Sequence, residues 1–172
     1  MATTVLLHEV VDALDIAADE LSSYVNIVTG QVITVTHEDL RFAEEDPVPD
    51  LPDWQEKTVA EARQVLESKD WLELPSKFDI HEWKIMDGFG RSLSTARERE
   101  EVSDAIHGSG AFRNFKSTVR HLGIEAAWFA YRQGALEDIA RNWLADHGLQ
   151  VGAAQPAGAD GRGPRAGEEP RR

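Results

Sequence analysis

A glycine-rich turn followed by basic and aromatic residues is the part of the sequence best suited to chemistry. In residues 105–123, AIHGSGAFRNFKSTVRHLG, a helix is predicted to begin at Gly110, where its first N–H groups have no partners within the helix. Such a helix start carries partial positive charge and attracts anions. Basic residues then recur at intervals of three and four and share one face. The candidate ligand-binding residues of this segment are Gly108, Gly110, Arg113, Lys116 and Arg120.

As a phosphate-binding motif the segment is incomplete. A P-loop needs Gly-x-x-x-x-Gly-Lys-Ser/Thr after a strand, and a dinucleotide fingerprint needs a preceding strand and a third glycine. Here a predicted helix precedes Gly108, and the third glycine is missing. Two interpretations of the basic face stay open. It either neutralises a phosphate-bearing ligand, or it is solvated or paired with the surplus carboxylates of neighbouring helices.

A second group of candidate binding residues lies in the last predicted helix. Trp128 and Tyr131 are three residues apart and share a face, and Arg132 follows directly. Aromatic rings and a guanidinium can form a platform on which a base or another ring stacks. The alternative is that the aromatic residues pack in the core and that Arg132 binds an internal carboxylate.

His107 is the candidate for acid/base catalysis, because the ordinary pKa of histidine lies near neutrality. The segment His81-Glu82-Trp83 begins like a zinc-protease motif, but Ile85 stands where the second histidine is needed. The histidines contain no pair three to five residues apart, and the chain has no cysteine. The sequence therefore predicts no metal site and no cofactor.

The charge of the chain limits its partners. Its 172 residues carry a formal net charge of -13, which repels phosphate polyanions and disfavours long nucleic acid as a partner. The apolar run at the N-terminus lacks preceding basic residues and soon meets Glu9, Asp12 and Asp15, unlike a signal peptide. No run approaches the roughly 20 apolar residues that span a bilayer. We expect a cytoplasmic protein without a membrane partner.

Hydrophobic spacing predicts the elements of the first half of the chain. Apolar residues at helical intervals predict an amphipathic helix from Val5 to Leu21, and residues 24–36, YVNIVTGQVITVT, predict a β-hairpin that turns at Thr29-Gly30. Thr36 is expected to cap a short helix. A capping box of Asp53 and Glu56 is expected to open the next helix, before a short extended piece in WLELP.

Four further helices are predicted in the second half. They begin near Asp79, Thr95, Gly110 and Ile124; glycines 88 and 90 are expected to weaken the first, and Gly134 to break or kink the last. Phe112, Phe115, Val119 and Leu122 are predicted to form the core face of the Gly110 helix. The fold class is α+β, mainly α: an N-terminal helix and a small hairpin packed with five to six further helices. Residues 1–151 are expected to form a single globular domain and residues 152–172 a disordered tail.

Several segments resemble one bacterial protein family. The hairpin YVNIVTGQVITVT is joined to FDIHEWKIMDGF, AIHGSGAFRNFKSTVRHLGI, WFAYR and IARNWLADHG. In this combination the chain resembles the uncharacterised family UPF0158 over about residues 22–148. The resemblance implies a small bacterial cytosolic protein and names no activity.

Together these observations predict a non-enzymatic binding or regulatory protein that recognises a phosphate-bearing ligand or a protein partner. One alternative is an enzyme acting on a nucleotide or phosphorylated substrate, with His107 as acid or base. Another is a purely structural interaction module whose acidic face contacts a basic protein. The sequence leaves the oligomeric state open.

Overall fold

The computed structural model describes residues 2–152. Within this range the chain forms eight helices and five short strands, which confirms the α+β, mainly α fold class. Seven helices follow the N-terminal one, because the helix predicted near Asp79 is divided in two at His81. The elements are β1 (Thr4–Leu6), α1 (Leu7–Asp15), β2 (Leu21–Asn26), β3 (Val32–Thr36), α2 (His37–Glu44), α3 (Asp53–Glu67), β4 (Trp71–Glu73), α4 (Lys77–Ile80), α5 (Glu82–Ser92), α6 (Ala96–Ile106), α7 (Ala111–His121), α8 (Glu125–Asp146) and β5 (Gln150–Gly152).

The predicted hairpin is confirmed. β2 and β3 pair antiparallel, and β4 adds to the other edge of β2, giving the strand order β3-β2-β4. In the turn, Asn26 Oδ1 accepts hydrogen bonds from the backbone of Val28 and Thr29. Gly30 follows with a φ of 78°, and a Cβ there would lie 2.1 Å from the carbonyl oxygen of Thr4. Glycine is therefore required both by the turn and by its contact with β1.

A second, parallel pair joins the two ends of the described chain. Thr4 of β1 lies opposite Gln150 of β5, so Thr4–Leu6 is extended and α1 begins only at Leu7. The predicted helix from Val5 to Leu21 was too long, since α1 ends at Asp15 and Leu21 already begins β2. Gly152 is the first residue of the predicted tail, but it belongs to β5, where it pairs with Leu6 of β1. The rest of that predicted tail lies outside the described residues.

Two apolar clusters hold the elements together. The smaller one joins β3, α2 and α3 through Ile33, Val35, Ala43, Val59 and Ala62. The larger one lies among α1, α5, α6, α7 and α8; its fully buried large side chains include Leu14, Met86, Phe115, Val119, Leu136 and Leu144. Within residues 2–152 no helix is both long and apolar enough to cross a membrane.

Several local predictions need correction. The hydroxyl of Thr36 caps α2 and that of Thr95 caps α6 as expected, but α3 begins after Pro52 without a side-chain cap. α5 continues through Gly88 and Gly90, and α8 through Gly134. At Gly88 a Cβ would lie 2.6 Å from the Tyr131 hydroxyl oxygen, and at Gly90 2.8 Å from a methyl carbon of Val102. The absence of a side chain lets α8 and α6 approach α5 closely.

Candidate functional site

Three exposed aromatic side chains lie around one cleft, and none belonged to the predicted binding residues. Phe78 of α4 is 71% exposed, Phe112 at the start of α7 is 52% exposed and Trp83 of α5 is 38% exposed. The cleft has a volume of about 580 Å³. Leu14, Ala17 and Ile80 supply apolar wall, and Asp15, Lys77, His81, Glu82 and Arg132 complete the lining. We call this region the aromatic cleft.

The break between α4 and α5 positions two of these aromatic residues. A capping box begins α4, because the Ser76 hydroxyl accepts from the backbone N–H of Asp79 and the Asp79 carboxylate accepts from the backbone N–H of Ser76. The Asp79 carboxylate accepts from the backbone N–H of Ser76 and also from the Ser76 hydroxyl, and these two hydrogen bonds, the backbone one first, lower the pKa of Asp79. His81 then takes left-handed backbone angles, with φ at 54°, and α5 starts in a new direction. Phe78 and Trp83 thus border the same cleft although different helices carry them.

Contacts with Ile106 of α6 and with His107 hold the Trp83 side chain in place. Its indole Nε1–H donates a hydrogen bond of 3.0 Å to the carbonyl oxygen of Ile106, near the end of that helix. The ring of His107 meets the Trp83 ring edge-on, with 5.7 Å between the centroids. The side chain is therefore held in place while part of it stays open to solvent.

A cluster of charged side chains lines one part of the aromatic cleft. The Arg132 guanidinium donates from Nε to Glu82 Oε1 over 2.7 Å and from Nη2 to Glu82 Oε2 over 3.4 Å, and its Nη1 donates to Asp15 Oδ1. Burial lowers the pKa of Arg132, but its hydrogen bonds with Glu82 and Asp15 outweigh this, so the net shift is upward. The cluster links α8, α5 and α1 at the cleft.

A second ion pair lies at the rim of the aromatic cleft. Lys77 Nζ is 2.7 Å from Asp19 Oδ1 and 5.1 Å from the centroid of the Phe78 ring. At these distances the ammonium is both ion-paired and close enough for a cation–π contact. Its charge is therefore already compensated on the protein.

The predicted basic residues lie on the outer side of α7, and the predicted glycines precede this helix. Gly108 and Gly110 have φ values of 128° and 73° and turn the chain between α6 and α7. Arg113, Lys116 and Arg120 are exposed. Arg120 Nε lies 3.7 Å from Glu125 Oε2, whereas among residues 2–152 no carboxylate lies within salt-bridge distance of the other two. The predicted core face of α7 is correct for Phe115 and Val119 and wrong for Phe112, which turns toward the aromatic cleft.

The predicted aromatic platform on α8 does not form. Trp128 is only 6% exposed, because its ring packs between Phe115 and Phe89 at centroid distances of 4.6 and 5.4 Å. Tyr131 is 37% exposed and packs 5.5 Å from Phe89. Arg132 contacts internal carboxylates, the alternative left open by the sequence. Only Arg132 of these predicted residues lines the aromatic cleft.

His107 belongs to a different concavity of about 420 Å³, which Asp87, Arg91 and Glu100 also line. Its Nδ1 lies 2.6 Å from the carbonyl oxygen of Ser103, an acceptor that requires the proton on Nδ1. Nε2 is then the basic nitrogen of the neutral ring. Within residues 2–152 no group of three or more histidine and carboxylate side chains is arranged to hold a metal ion.

The residues of the aromatic cleft that sequence reasoning missed include Phe78, Trp83, Phe112, Asp15 and Glu82. One signal was available: Ser76 stands three residues before Asp79 and marks a helix start that leaves Phe78 on the first turn. The Arg132 contacts had no such signal, because their partners are 50 and 117 residues away along the chain.

Comparison with known proteins identifies a family and no function. No curated protein matches the chain, and no solved structure matches it. The match to a family model covers more of the chain than the segments noted in the sequence, since it includes α1. The chain belongs to the uncharacterised protein family UPF0158, whose model matches residues 2–159.

Proposed function

We propose that this protein is a non-catalytic binding protein that docks a segment of a partner protein in the aromatic cleft. The observation that carries the proposal is the exposure of Phe78, Trp83 and Phe112 around one concavity. Leaving large apolar side chains in water forgoes the stabilisation that burial gives, about 25 cal/mol per Å². Clustered exposed aromatic residues are typical of interaction sites, where aromatic side chains supply much of the binding energy.

The fixed geometry of the aromatic cleft supports this role. Trp83 is hydrogen-bonded to α6, and Arg132 links α8 to α5 and α1. A surface held in this way loses little conformational entropy when a partner binds. The volume of about 580 Å³ also falls in the range of about 300–1,000 Å³ that is typical of ligand pockets.

The exposure of the rim favours a protein segment over a small ligand as the occupant. A small molecule confined to the cleft would leave most of Phe78 in water, because this residue is 71% exposed. A segment that inserts one apolar side chain and crosses the rim covers Phe78 and Phe112 as well. Burial of the rim then adds to the binding energy of the inserted side chain.

The proposal is tested with a phage-displayed library of random peptides selected on the full-length chain. We expect the enriched peptides to bind the wild type and to lose about tenfold or more in affinity with Phe78→Ser or Phe112→Ser. Phe129→Ser is the matched control, since Phe129 is 59% exposed and does not line the cleft. Equal binding by all three variants, or no enriched peptide, contradicts the proposal.

A second candidate is a phosphate-bearing ligand at the start of α7. It is favoured by the exposure of Arg113 and Lys116, which have no carboxylate within salt-bridge distance among residues 2–152. Thermal unfolding with inorganic phosphate and a panel of nucleotides tests it. A ligand at 100 times its Kd stabilises the protein by about 2.7 kcal/mol, and Arg113→Glu with Lys116→Glu should abolish this. No stabilisation by any member contradicts this candidate and leaves the aromatic cleft unaffected.

A further inference from the structure

We propose that the aromatic cleft selects a cationic group next to its apolar anchor, so that the docked segment carries a lysine or arginine beside an aromatic or aliphatic residue. This inference rests on the proposed function, because it specifies the chemistry of the segment that the same cleft binds. Two features support it: the charges that face the cleft and the acceptor atoms that they leave free.

The charges around the cleft do not cancel. The carboxylates of Asp15 and Glu82 share one guanidinium, that of Arg132, which leaves one negative charge in the ion cluster. At the rim, the charge of Lys77 is compensated by Asp19. His81 also lines the cleft and is counted as neutral in the formal charge of the chain. A cation entering the cleft is therefore attracted, and an anion meets two carboxylates beside the guanidinium it would bind.

Asp15 is the group best placed to receive the cation. Its side chain is 53% exposed, against 28% for Glu82 and 21% for Arg132. Arg132 occupies Oδ1 of Asp15 but both carboxylate oxygens of Glu82. A carboxylate accepts at two oxygens, so Asp15 Oδ2 remains for an incoming ammonium or guanidinium. The Arg132 contacts need not break when the cation binds.

The aromatic residues add to the same preference. Trp83 and Phe112 line the cleft together with Asp15, and the face of an aromatic ring attracts a cation. A formal net charge of -13 on the chain also speeds the approach of a basic segment. Local and long-range electrostatics thus both favour a positively charged partner.

Three indole compounds of similar size test the inference: tryptamine, which is cationic, neutral indole-3-acetamide and anionic indole-3-acetate. Each is titrated into the ¹⁵N-labelled full-length protein, and the indole N–H signal of Trp83 reports binding. The chain has five tryptophans, so this signal is assigned with Trp83→Phe. We expect all three compounds to shift it, and tryptamine to bind about three- to tenfold more tightly than the amide and more tightly still than the acetate.

Asp15→Asn is the diagnostic variant and Asp12→Asn its control. Both lie on α1 and remove one negative charge, but only Asp15 lines the cleft. The Arg132–Glu82 pair stays intact in either variant, and a dispersed spectrum verifies folding. We expect Asp15→Asn to reduce the preference for tryptamine over the amide to about twofold or less, and Asp12→Asn to retain it.

The outcomes separate the inference from the proposed function. Shifts of the Trp83 signal with equal affinity for the three compounds, or an unchanged preference in Asp15→Asn, overturn the charge selection and leave the aromatic cleft as a binding site. If no compound perturbs Trp83 although a library-selected peptide does, the inference is overturned and the proposed function stands. If neither a compound nor a peptide perturbs Trp83, both are contradicted.

Discussion

Charged and aromatic residues are placed in opposite ways on the two sides of α7. Toward the aromatic cleft, Phe112 is exposed, while the nearby charges of Arg132, Asp15 and Glu82 are paired. On the outer side, Arg113 and Lys116 are exposed, while Phe115 points into the core. A concave apolar surface with paired charges can exclude water around a partner, whereas an exposed stripe of cations acts mainly through its long-range field.

The difference shows why spacing alone drew attention to the outer side of α7. Intervals of three and four residues identified a basic stripe, which needs no contact with the rest of the fold. The aromatic cleft depends on which neighbouring helices leave a gap. Phe112 is exposed because α1, α4 and α5 line a cleft beside it.

The largest difference we expect lies between the two phenylalanines of α7. Phe115 is 1% exposed, so Phe115→Ala should lower the free energy of unfolding by about 3–5 kcal/mol. Phe112→Ala should cost about 1 kcal/mol or less, because half of this side chain already contacts water. Urea unfolding of the two variants measures both values. Equal losses would mean that Phe112 is part of the core.

The next contrast is between a paired and an unpaired arginine. Arg132→Met leaves Glu82 without its bidentate partner, and we expect a loss of about 2 kcal/mol, reduced from the fully buried case by partial exposure. Arg113→Met should change stability by about 0.5 kcal/mol or less, since its side chain is exposed. Urea unfolding again gives both numbers. A neutral Arg132→Met would show that the ion cluster does not stabilise the cleft.

A smaller effect is expected at the capping box that begins α4 and thereby positions Phe78. Ser76→Ala should cost about 0.5–1 kcal/mol at pH 7. The pKa of Asp79 is lowered in the folded state from 3.8, so its hydrogen bonds stabilise the fold above that pH and are lost as the pH falls through the folded pKa. The gap between wild type and variant should therefore narrow toward pH 3. A gap that widens on acidification would contradict this assignment of the cap.

The smallest change is expected on the outer side of α7. Arg113→Glu with Lys116→Glu should alter the free energy of unfolding by about 0.5 kcal/mol or less, because neither side chain pairs with a carboxylate in the described part of the chain. Thermal or urea unfolding in low salt provides the measurement. A marked loss would contradict this expectation, because it would mean that these cations stabilise the fold.

Local sequence signals predicted much of the fold. Thr29-Gly30 indicated the hairpin turn, and Thr36 and Thr95 indicated helix starts, because turns and caps involve residues only a few positions apart. The β1–β5 pair could not be predicted in this way, since Thr4 and Gln150 lie at opposite ends of the described chain.

The same limit applies to the candidate site. Arg132 was identified as a residue of interest, but its partners Asp15 and Glu82 become neighbours only after α1, α5 and α8 pack together. Trp128 and Trp83 show the same problem with aromatic residues. Both occur in helices at core-like spacing, and only tertiary packing decides that one is buried and the other exposed.

The most direct measurement of the central claim compares two tryptophans in one spectrum. A library-selected peptide is added to the ¹⁵N-labelled chain while the indole N–H signals of Trp83 and Trp54 are followed. Trp54 is 71% exposed on α3, outside the aromatic cleft, and serves as the internal control. We expect the Trp83 signal to shift and saturate while that of Trp54 stays unchanged; a shift of Trp54 with Trp83 unaffected would contradict the aromatic cleft as the docking site.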